Sequence, residues 1–364
     1  MSQTSGGFAS HRGPVLLHTS DYATTLATRS LDFQERMAEF GVVRTGLGGR
    51  SLPLDTLLVF TRAADMEISD LSLRMAALDL SLTRLDADRC LDSSVRADPK
   101  AGTLALNGTS YRPRLAWLRH FDLEAIPSAQ PPVSRAYAVN AWNACRSWAT
   151  NSPSWSHLNP GAHNLDRLSQ IEVAQQHGFS VPHTALVTVP GDAVQVLGRS
   201  LGDIAVLKPV GHHFLEPTPG RLRGLFAQYI DVAKLAELPP EPAPLLVQQY
   251  IASEYELRIF VVGSRYIGFR VYKACPSDVW KRPETVRVER ASVPRGALAR
   301  LRRLTAIWQL DIAAFDLLVT KGGCVFLEVN TDCDWLWFEQ RADCDDVSTA
   351  VLDHCTGRLR ALSQ

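Results

Sequence analysis

Residues 312–330 read IAAFDLLVTKGGCVFLEVN. Two apolar runs, Ile312–Thr320 and Cys324–Val329, flank Gly322-Gly323, the pattern of two antiparallel strands joined by a tight turn. Side chains in a strand alternate between faces, so Glu328 and Asn330, two apart, leave the same face. Asp316 comes from the preceding strand. Two carboxylates and an amide oxygen brought together suit one or two Mg²⁺ ions, which prefer hard oxygen ligands and complete their shell with phosphate oxygens and water. A hairpin with surface acids is the plainer reading. Glu328, however, lies inside the apolar run VFLEV, where an unpaired charge is costly to bury.

Upstream, Leu245–Ile251, Leu257–Val262 and Tyr266–Tyr272 read as successive strands. Gln248-Gln249-Tyr250-Ile251 is an extended segment that can offer its backbone to an adenine edge. Glu254 and Glu256 follow, and a carboxylate there can accept ribose hydroxyls. Arg258 lies beyond them, with a planar fork suited to phosphate or carboxylate. Further upstream, Val206-Leu207-Lys208-Pro209 ends an apolar strand on a lysine, which can set a point charge on nucleotide phosphates. A helix is expected from about Leu165 to His177, closed by Gly178 at the position glycine favours. A strand at Ala185–Val189, a second helix and a strand at Ile204–Lys208 come next. Residues 209–224 read as loop and Pro239–Pro244 as a surface turn. A basic helix over 295–309 and a last helix over 346–362 complete this part.

In this order, VLKP, QQYIASEYELRIFVVG, AAFDLLVTKGGCVFLEVNTDCDWLWFE and the earlier NPGAHNLDRLSQIEVAQQHGFSVPHT resemble the ATP-grasp superfamily. Within it they are most similar to the maturases of microviridin-type graspetides and to the ribosomal-protein glutamate ligase. The resemblance covers residues 159–364. It implies an α/β fold of two antiparallel-sheet lobes clasping ATP, preceded by a small α/β domain. By resemblance, Asp316, Glu328 and Asn330 bind Mg²⁺, and Lys208 contacts the α- and β-phosphates. Gln249 and Tyr250 line the adenine pocket, with Gln248 and Ile251 in the same nucleotide-binding set. Glu256 takes the ribose, and Arg258 faces the phosphates or the acyl group, so that Lys208 and Arg258 are the catalytic pair. Arg167 stands where such proteins usually carry a lysine. Arg270 and Lys273 lie on the next strand pair, and Arg287 is a candidate for a further basic residue. The implied chemistry is ADP-forming: a carboxylate attacks the γ-phosphate, and a hydroxyl or amine then displaces phosphate from the acylphosphate.

The chain departs from that pattern in two places. After Asn330 a Pro-Asn-Gly-Gln-Trp-like run is usual; here it is Thr331-Asp332-Cys333-Asp334-Trp335, with Asp for Gln and no glycine. The phosphate-covering loop, Gly211-His212-His213-Phe214, is histidine-rich and poor in glycine. The expected substrate is a precursor peptide, cross-linked by ester or amide bonds, or a small carboxylic acid joined to an amine. A nucleotide- or peptide-binding protein without turnover is the third reading. Relatives often form dimers, so a homodimer is expected too.

Before residue 159, the strand TLLVF (Thr56–Phe60), helical spacing over 66–78 and the strand LSLTRL suggest a parallel β-α-β unit. Asn107-Gly108 marks a hairpin, 115–119 a further strand, and 121–158 mostly helix broken near Pro131-Pro132. Asn159-Pro160-Gly161 is a turn signal. The expected division is an extension at 1–54 with a polar tail at 1–14, a small α/β domain at 55–158 and a catalytic domain at 159–364.

Lys+Arg and Asp+Glu are both 38 in 364 residues, which removes the electrostatic reason to expect nucleic acid or a membrane surface as partner. The start lacks an apolar signal core, and no apolar run approaches the ~20 residues of a membrane span. The seven cysteines contain no CxxC pair, as expected of reduced thiols in the cytoplasm. Trp335 and Trp337 could cover a peptide or belong to the core. Cys333 lies close to the metal set, but this chemistry needs no nucleophilic thiol. The helix RGALARLRR (295–303) has a basic face, read as solvated or as a seat for an acidic peptide.

Overall fold

The computed structural model describes residues 52–126, 132–162, 165–211, 214–218 and 221–363. The expectations for the tail, for most of the 1–54 extension and for His212 and His213 lie outside them. Strand β1 (Leu54–Thr61), helix α1 (Met66–Ala76) and strand β2 (Ser81–Asp86) form the expected unit, with β1 and β2 parallel. Asp65 caps α1 by accepting the Ile68 amide, and Ile68, Leu71 and Met75, at helical spacing, are the apolar side chains it buries. Strands β3 (Val95–Asp98), β4 (Thr103–Leu106) and β5 (Thr109–Leu118) follow. Asn107 and Gly108, at φ 49° and 84°, make the left-handed turn that suits the twist of β4 and β5.

The expectation of mostly helix over 121–158 holds for Pro132–Asn151 and needs correction at 156–158. Helix α2 (Pro132–Asn151) begins at the proline, where the missing N–H costs nothing. Residues Ser156–Leu158 are strand β6, parallel to β5. Three residues show no period of their own, so this strand exists only through its neighbour.

Helix α3 (Arg167–Gln176) leads to β7 (Thr184–Val187), α4 (Asp192–Leu197) and β8 (Ile204–Pro209). Residues 209–224, expected as loop, contain the antiparallel pair β9 (Phe214–Thr218) and β10 (Arg221–Gly224). Strands β11 (Gln228–Asp231) and β12 (Leu245–Gln249) complete a four-stranded antiparallel sheet, ordered β11-β8-β12-β7. Then come β13 (Tyr255–Val262), β14 (Arg265–Tyr272), the short α5 (Asp278–Lys281), β15 (Arg287–Ala291), α6 (Arg295–Ile307), β16 (Ile312–Thr320) and β17 (Gly323–Asn330). These strands form a five-stranded antiparallel sheet, β15-β14-β13-β16-β17. Helix α7 (Leu336–Ala342), not foreseen, and α8 (Asp346–Ser363) end the chain.

Both faces of the five-stranded sheet are covered. On one, Leu257, Ile259, Val261, Phe315 and Phe326 pack with Ala297, Leu301 and Leu304 of α6. On the other, Phe260, Phe269 and Ala314 share a core with Val347, Val351 and Leu359 of α8 and with Leu57, Val59, Leu115 and Trp117 of the leading sheet. The apolar packing therefore runs unbroken across the turn at 159–161. Asn159 itself is 1% exposed at φ 52°. Its Oδ1 accepts the amides of Asp311 and Ile312, and its Nδ2 donates to the Ile312 carbonyl, pinning the turn to the start of β16. Gly161 is required there: a Cβ would stand 2.2 Å from the Trp308 carbonyl oxygen.

All seven cysteines are free thiols. Among the described residues no helix is long and apolar enough to cross a membrane.

Candidate active site

A large cleft opens between the four- and five-stranded sheets and runs on to the ends of the leading sheet's strands. All eleven residues expected at the nucleotide and the metal line it. Its acidic end follows from strand alternation. On β13, Leu257, Ile259 and Val261 face the α6 core, so Glu256 and Arg258 share the opposite face with Phe260. That face is apolar where α8 covers it and charged where the cleft begins. Arg258 is the register partner of Asp316, and Asp316 of Glu328, with a bulge just after Asp316.

Arg258 Nη1 donates to Asp316 Oδ2 at 2.6 Å, and its guanidinium stacks 5.4 and 5.2 Å from the ring centroids of Phe260 and Phe338. Asp316 is 5% exposed. Burial pushes its carboxyl up to about 7; the Arg258 charge opposes this, and Glu256 and Glu328 add to it. Its Oδ1 is buried with no hydrogen-bond partner among the described residues. Asn330 Oδ1 accepts the Asp332 amide at 2.9 Å. An orphaned carboxylate oxygen amid three acids is a place that gains from a cation. No three His, Cys, Asp or Glu side chains gather as a ligand group among the described residues. The set is instead two carboxylates with an amide, which fits Mg²⁺, an ion commonly held by one or two carboxylates with phosphate and water.

Arg167 opens α3, whose cap Asp166 accepts the amides of Leu168 and Ser169. Its Nε donates to Glu328 Oε2 at 3.2 Å, and its Nη1 to the carbonyls of Pro209 and Gly211 at 2.6 and 2.7 Å. One guanidinium thus ties the end of β8 to the acid cluster, which a lysine's single point could not do. Lys208, half-buried on β8, has its pKa lowered by burial, countered mainly by Glu328 and also by Glu256 and Asp316. It faces the acids across the cleft.

The extended segment lies at the far side. Gln248, 2% exposed, gives its amide to Thr184 Oγ1, so its side chain is bound into the sheet. The Gln249 amide donates to the His183 carbonyl and the Tyr250 amide to Ile204. Tyr250 meets Tyr229 edge-on, with centroids 5.0 Å apart, and Ile251 follows the strand end. Glu256 pairs with Lys273 at 2.7 Å and stands near Asp316. Lys273 lines the cleft. Arg287 does not: it stacks on Tyr272 at 4.0 Å and pairs with Glu289.

Trp335 belongs to the core at 1% exposed, while Trp337 lines the cleft. Cys333 is fully buried, and burial pushes its thiol up to about 12, leaving it almost entirely protonated and a poor nucleophile. The basic α6 helix is partly engaged, Arg300 donating to the Gly178 carbonyl and Arg302 lying over Tyr266.

Sequence reasoning missed Arg119, His120, Glu67 and Asp334, which form a charged cluster along the cleft. Their partners are more than 200 positions apart, and no local pattern announces them. The one available signal was Asp334 in place of glutamine.

Comparison with family models and with curated proteins gives no match. Among solved structures, the chain is similar to the macrocyclase MdnC of Microcystis aeruginosa, bound with its precursor peptide (TM-score 0.68, 19% identity, 83% of this chain and 99% of that one). It is also similar to a RiPP-associated ATP-grasp ligase of Chryseobacterium gregarium in complex with ADP and a leader and core peptide (TM-score 0.66, 17% identity, 84% and 97%). A RimK domain ATP-grasp protein of Sphaerobacter thermophilus matches at TM-score 0.52, with 16% identity over 83% and 100%. The chain has the ATP-grasp fold.

Proposed function

We propose that this protein is an ADP-forming ligase that activates a carboxylate of a precursor peptide and joins it to a hydroxyl or amine of the peptide, giving an ester or amide cross-link. The observation that carries this reading is the meeting, in one cleft, of two cations (Lys208 and Arg258) with an acid cluster whose Asp316 keeps a buried, unpartnered oxygen. Phosphoryl transfer asks a protein chiefly for positioning and for stabilisation of phosphate charge. Lys208 supplies a point charge to the α- and β-phosphates. Arg258, held in place by Asp316 and two aromatic rings, presents its remaining N–H groups to the γ-phosphate or the acyl oxygen. Asp316, Glu328 and Asn330 would hold Mg²⁺, which when bound neutralises charge on the transferring phosphate. The carboxylate oxygen bonds to the γ-phosphorus as ADP departs; the acceptor oxygen or nitrogen then bonds to the acyl carbon as inorganic phosphate leaves. The amides of Gln249 and Tyr250 are already engaged, so an adenine edge would be met by groups beyond them, at Ile251.

Two further observations favour a peptide over a small acid. The cleft holds about 1960 Å³, against roughly 300–1,000 Å³ for a typical small-molecule site, and two of the similar solved structures carry peptides. We place the catalytic unit at 159–364 in a cytoplasmic enzyme able to form a homodimer. Calorimetric titration with ATP, with and without Mg²⁺, tests the reading. The expected result is Mg²⁺-dependent binding that Glu328→Gln weakens. A folded wild-type protein that binds no ATP would overturn it.

A further inference from the structure

The small leading sheet has no task in the chemistry so far. Arg119, the residue after β5, suggests one. Its backbone amide donates to the Phe60 carbonyl at the end of β1, so the leading sheet fixes its origin. Its side chain is fully buried and spends all three nitrogens in different directions. Nε donates to Asp65 Oδ2 at 2.8 Å, Nη1 to the Cys333 carbonyl at 2.7 Å and Nη2 to Asp334 Oδ1 at 2.8 Å. The guanidinium lies 5.5 Å from the Trp117 ring centroid and 4.9 Å from that of Trp335, two rings parallel to within 1° and 6.5 Å apart. His120 Nε2 meets the same Asp334 oxygen at 2.8 Å. Glu67 Oε1 accepts the Leu336 amide at 3.2 Å.

The carbonyl of 333, the carboxylate of 334 and the amide of 336 are thus all gripped by the leading part of the chain. This segment begins at Asn330, whose amide oxygen receives the Asp332 amide. We propose that Arg119 is a positioning residue: with His120 and Glu67 it clamps residues 333–336 to the leading sheet and thereby sets where Asn330 presents its amide oxygen. The proposal rests on the nucleotide-site reading above and gives the leading sheet its share in that site. A buried ion pair is poor evidence for stability, since apolar residues of like volume often serve as well or better. The clamp's far end is not even buried: the Asp334 side chain is 36% exposed and opens on the cleft. What a guanidinium fork adds there is direction, two donors aimed at one loop. Replacing Gln by Asp at 334, the departure visible in the sequence, puts an anion where Arg119 and His120 converge.

The test uses the full chain and two variants, Asp334→Asn, which keeps volume and removes charge, and Arg119→Lys, which keeps charge and removes the fork. ATP binding is measured by calorimetry across a Mg²⁺ series, and backbone amide exchange at 331–336 is followed in parallel. Groups that orient metal ligands typically change metal affinity about 10–100-fold when altered. The Mg²⁺ concentration for half-maximal ATP binding should rise about tenfold, with Mg²⁺-free ATP binding little changed, and exchange at 331–336 should quicken. Faster exchange with unaltered Mg²⁺ dependence would overturn the link to Asn330. Unaltered exchange in both variants would overturn the clamp itself, even if the wild type binds no ATP and the nucleotide-site reading has failed on its own terms.

Discussion

Asp316 should make the ligand-free protein less stable as the solution turns neutral. Burial, with Glu256 and Glu328 nearby, lifts its carboxyl from 3.8 to about 7 against the pull of Arg258. Between those values the folded state holds a proton that the unfolded state has lost, so the stabilisation is complete in acid and disappears as pH rises towards 7. An interval of about three pH units at about 1.36 kcal/mol each amounts to about 4 kcal/mol for a group only 5% exposed. Asp316→Asn removes the titration while keeping the shape. Urea denaturation of the chelator-treated protein at pH 5, 6, 7 and 8 spans about two of those units, so the wild type should lose about 3 kcal/mol more than the variant. Glu67, pushed up to about 8, adds a slope of the same sign that persists in the variant. The variant should exceed the wild type in stability at pH 8, and Mg²⁺ with ATP should stabilise the wild type there far more than the variant. Parallel pH curves for the two proteins between 5 and 8 would refute the argument.

Lys208→Met should weaken ATP binding about 10–100-fold, with or without Mg²⁺, because a hydrogen bond to a charged group contributes about 1.5–3 kcal/mol; calorimetry reads this, and unchanged affinity would remove Lys208 from the phosphates. Asn159→Ala should cost about 4–5 kcal/mol in urea denaturation, through three lost hydrogen bonds of about 1 kcal/mol each and a left-handed backbone disfavoured by about 1–2 kcal/mol. A cost below 1 kcal/mol would show that the turn does not anchor β16.

The acidic end of the cleft was legible because it is built from local patterns. The alternation in FDLLV and VFLEV fixes which side chains share a face, and register in an antiparallel pair then brings Asp316 opposite Glu328. Asn107-Gly108 and Gly178 announced their turns for the same reason: left-handed backbone selects residue type. Where the reading failed, the deciding contacts were distant or the punctuation misled. Prolines and glycines in 209–224 read as loop although β9 and β10 pair there. Ser156–Leu158 is too short to show a period. The pair of Glu256 with Lys273, just past the end of β14, was not foreseen, because no local pattern joins the two positions. The Arg119 cluster joins residues that only tertiary folding brings together.

That distance shapes the order in which the protein can be made. Asp65, the first partner of Arg119, leaves the ribosome before it, whereas Asp334 lies 215 positions after Arg119. At roughly 5–20 residues per second, the second anion emerges roughly 10–40 seconds later. Until then the nascent leading sheet carries an arginine whose burial is unfinished and a Trp117 face with no Trp335 to meet it. The clamp closes only after that interval, and the acidic end of the cleft takes shape with it.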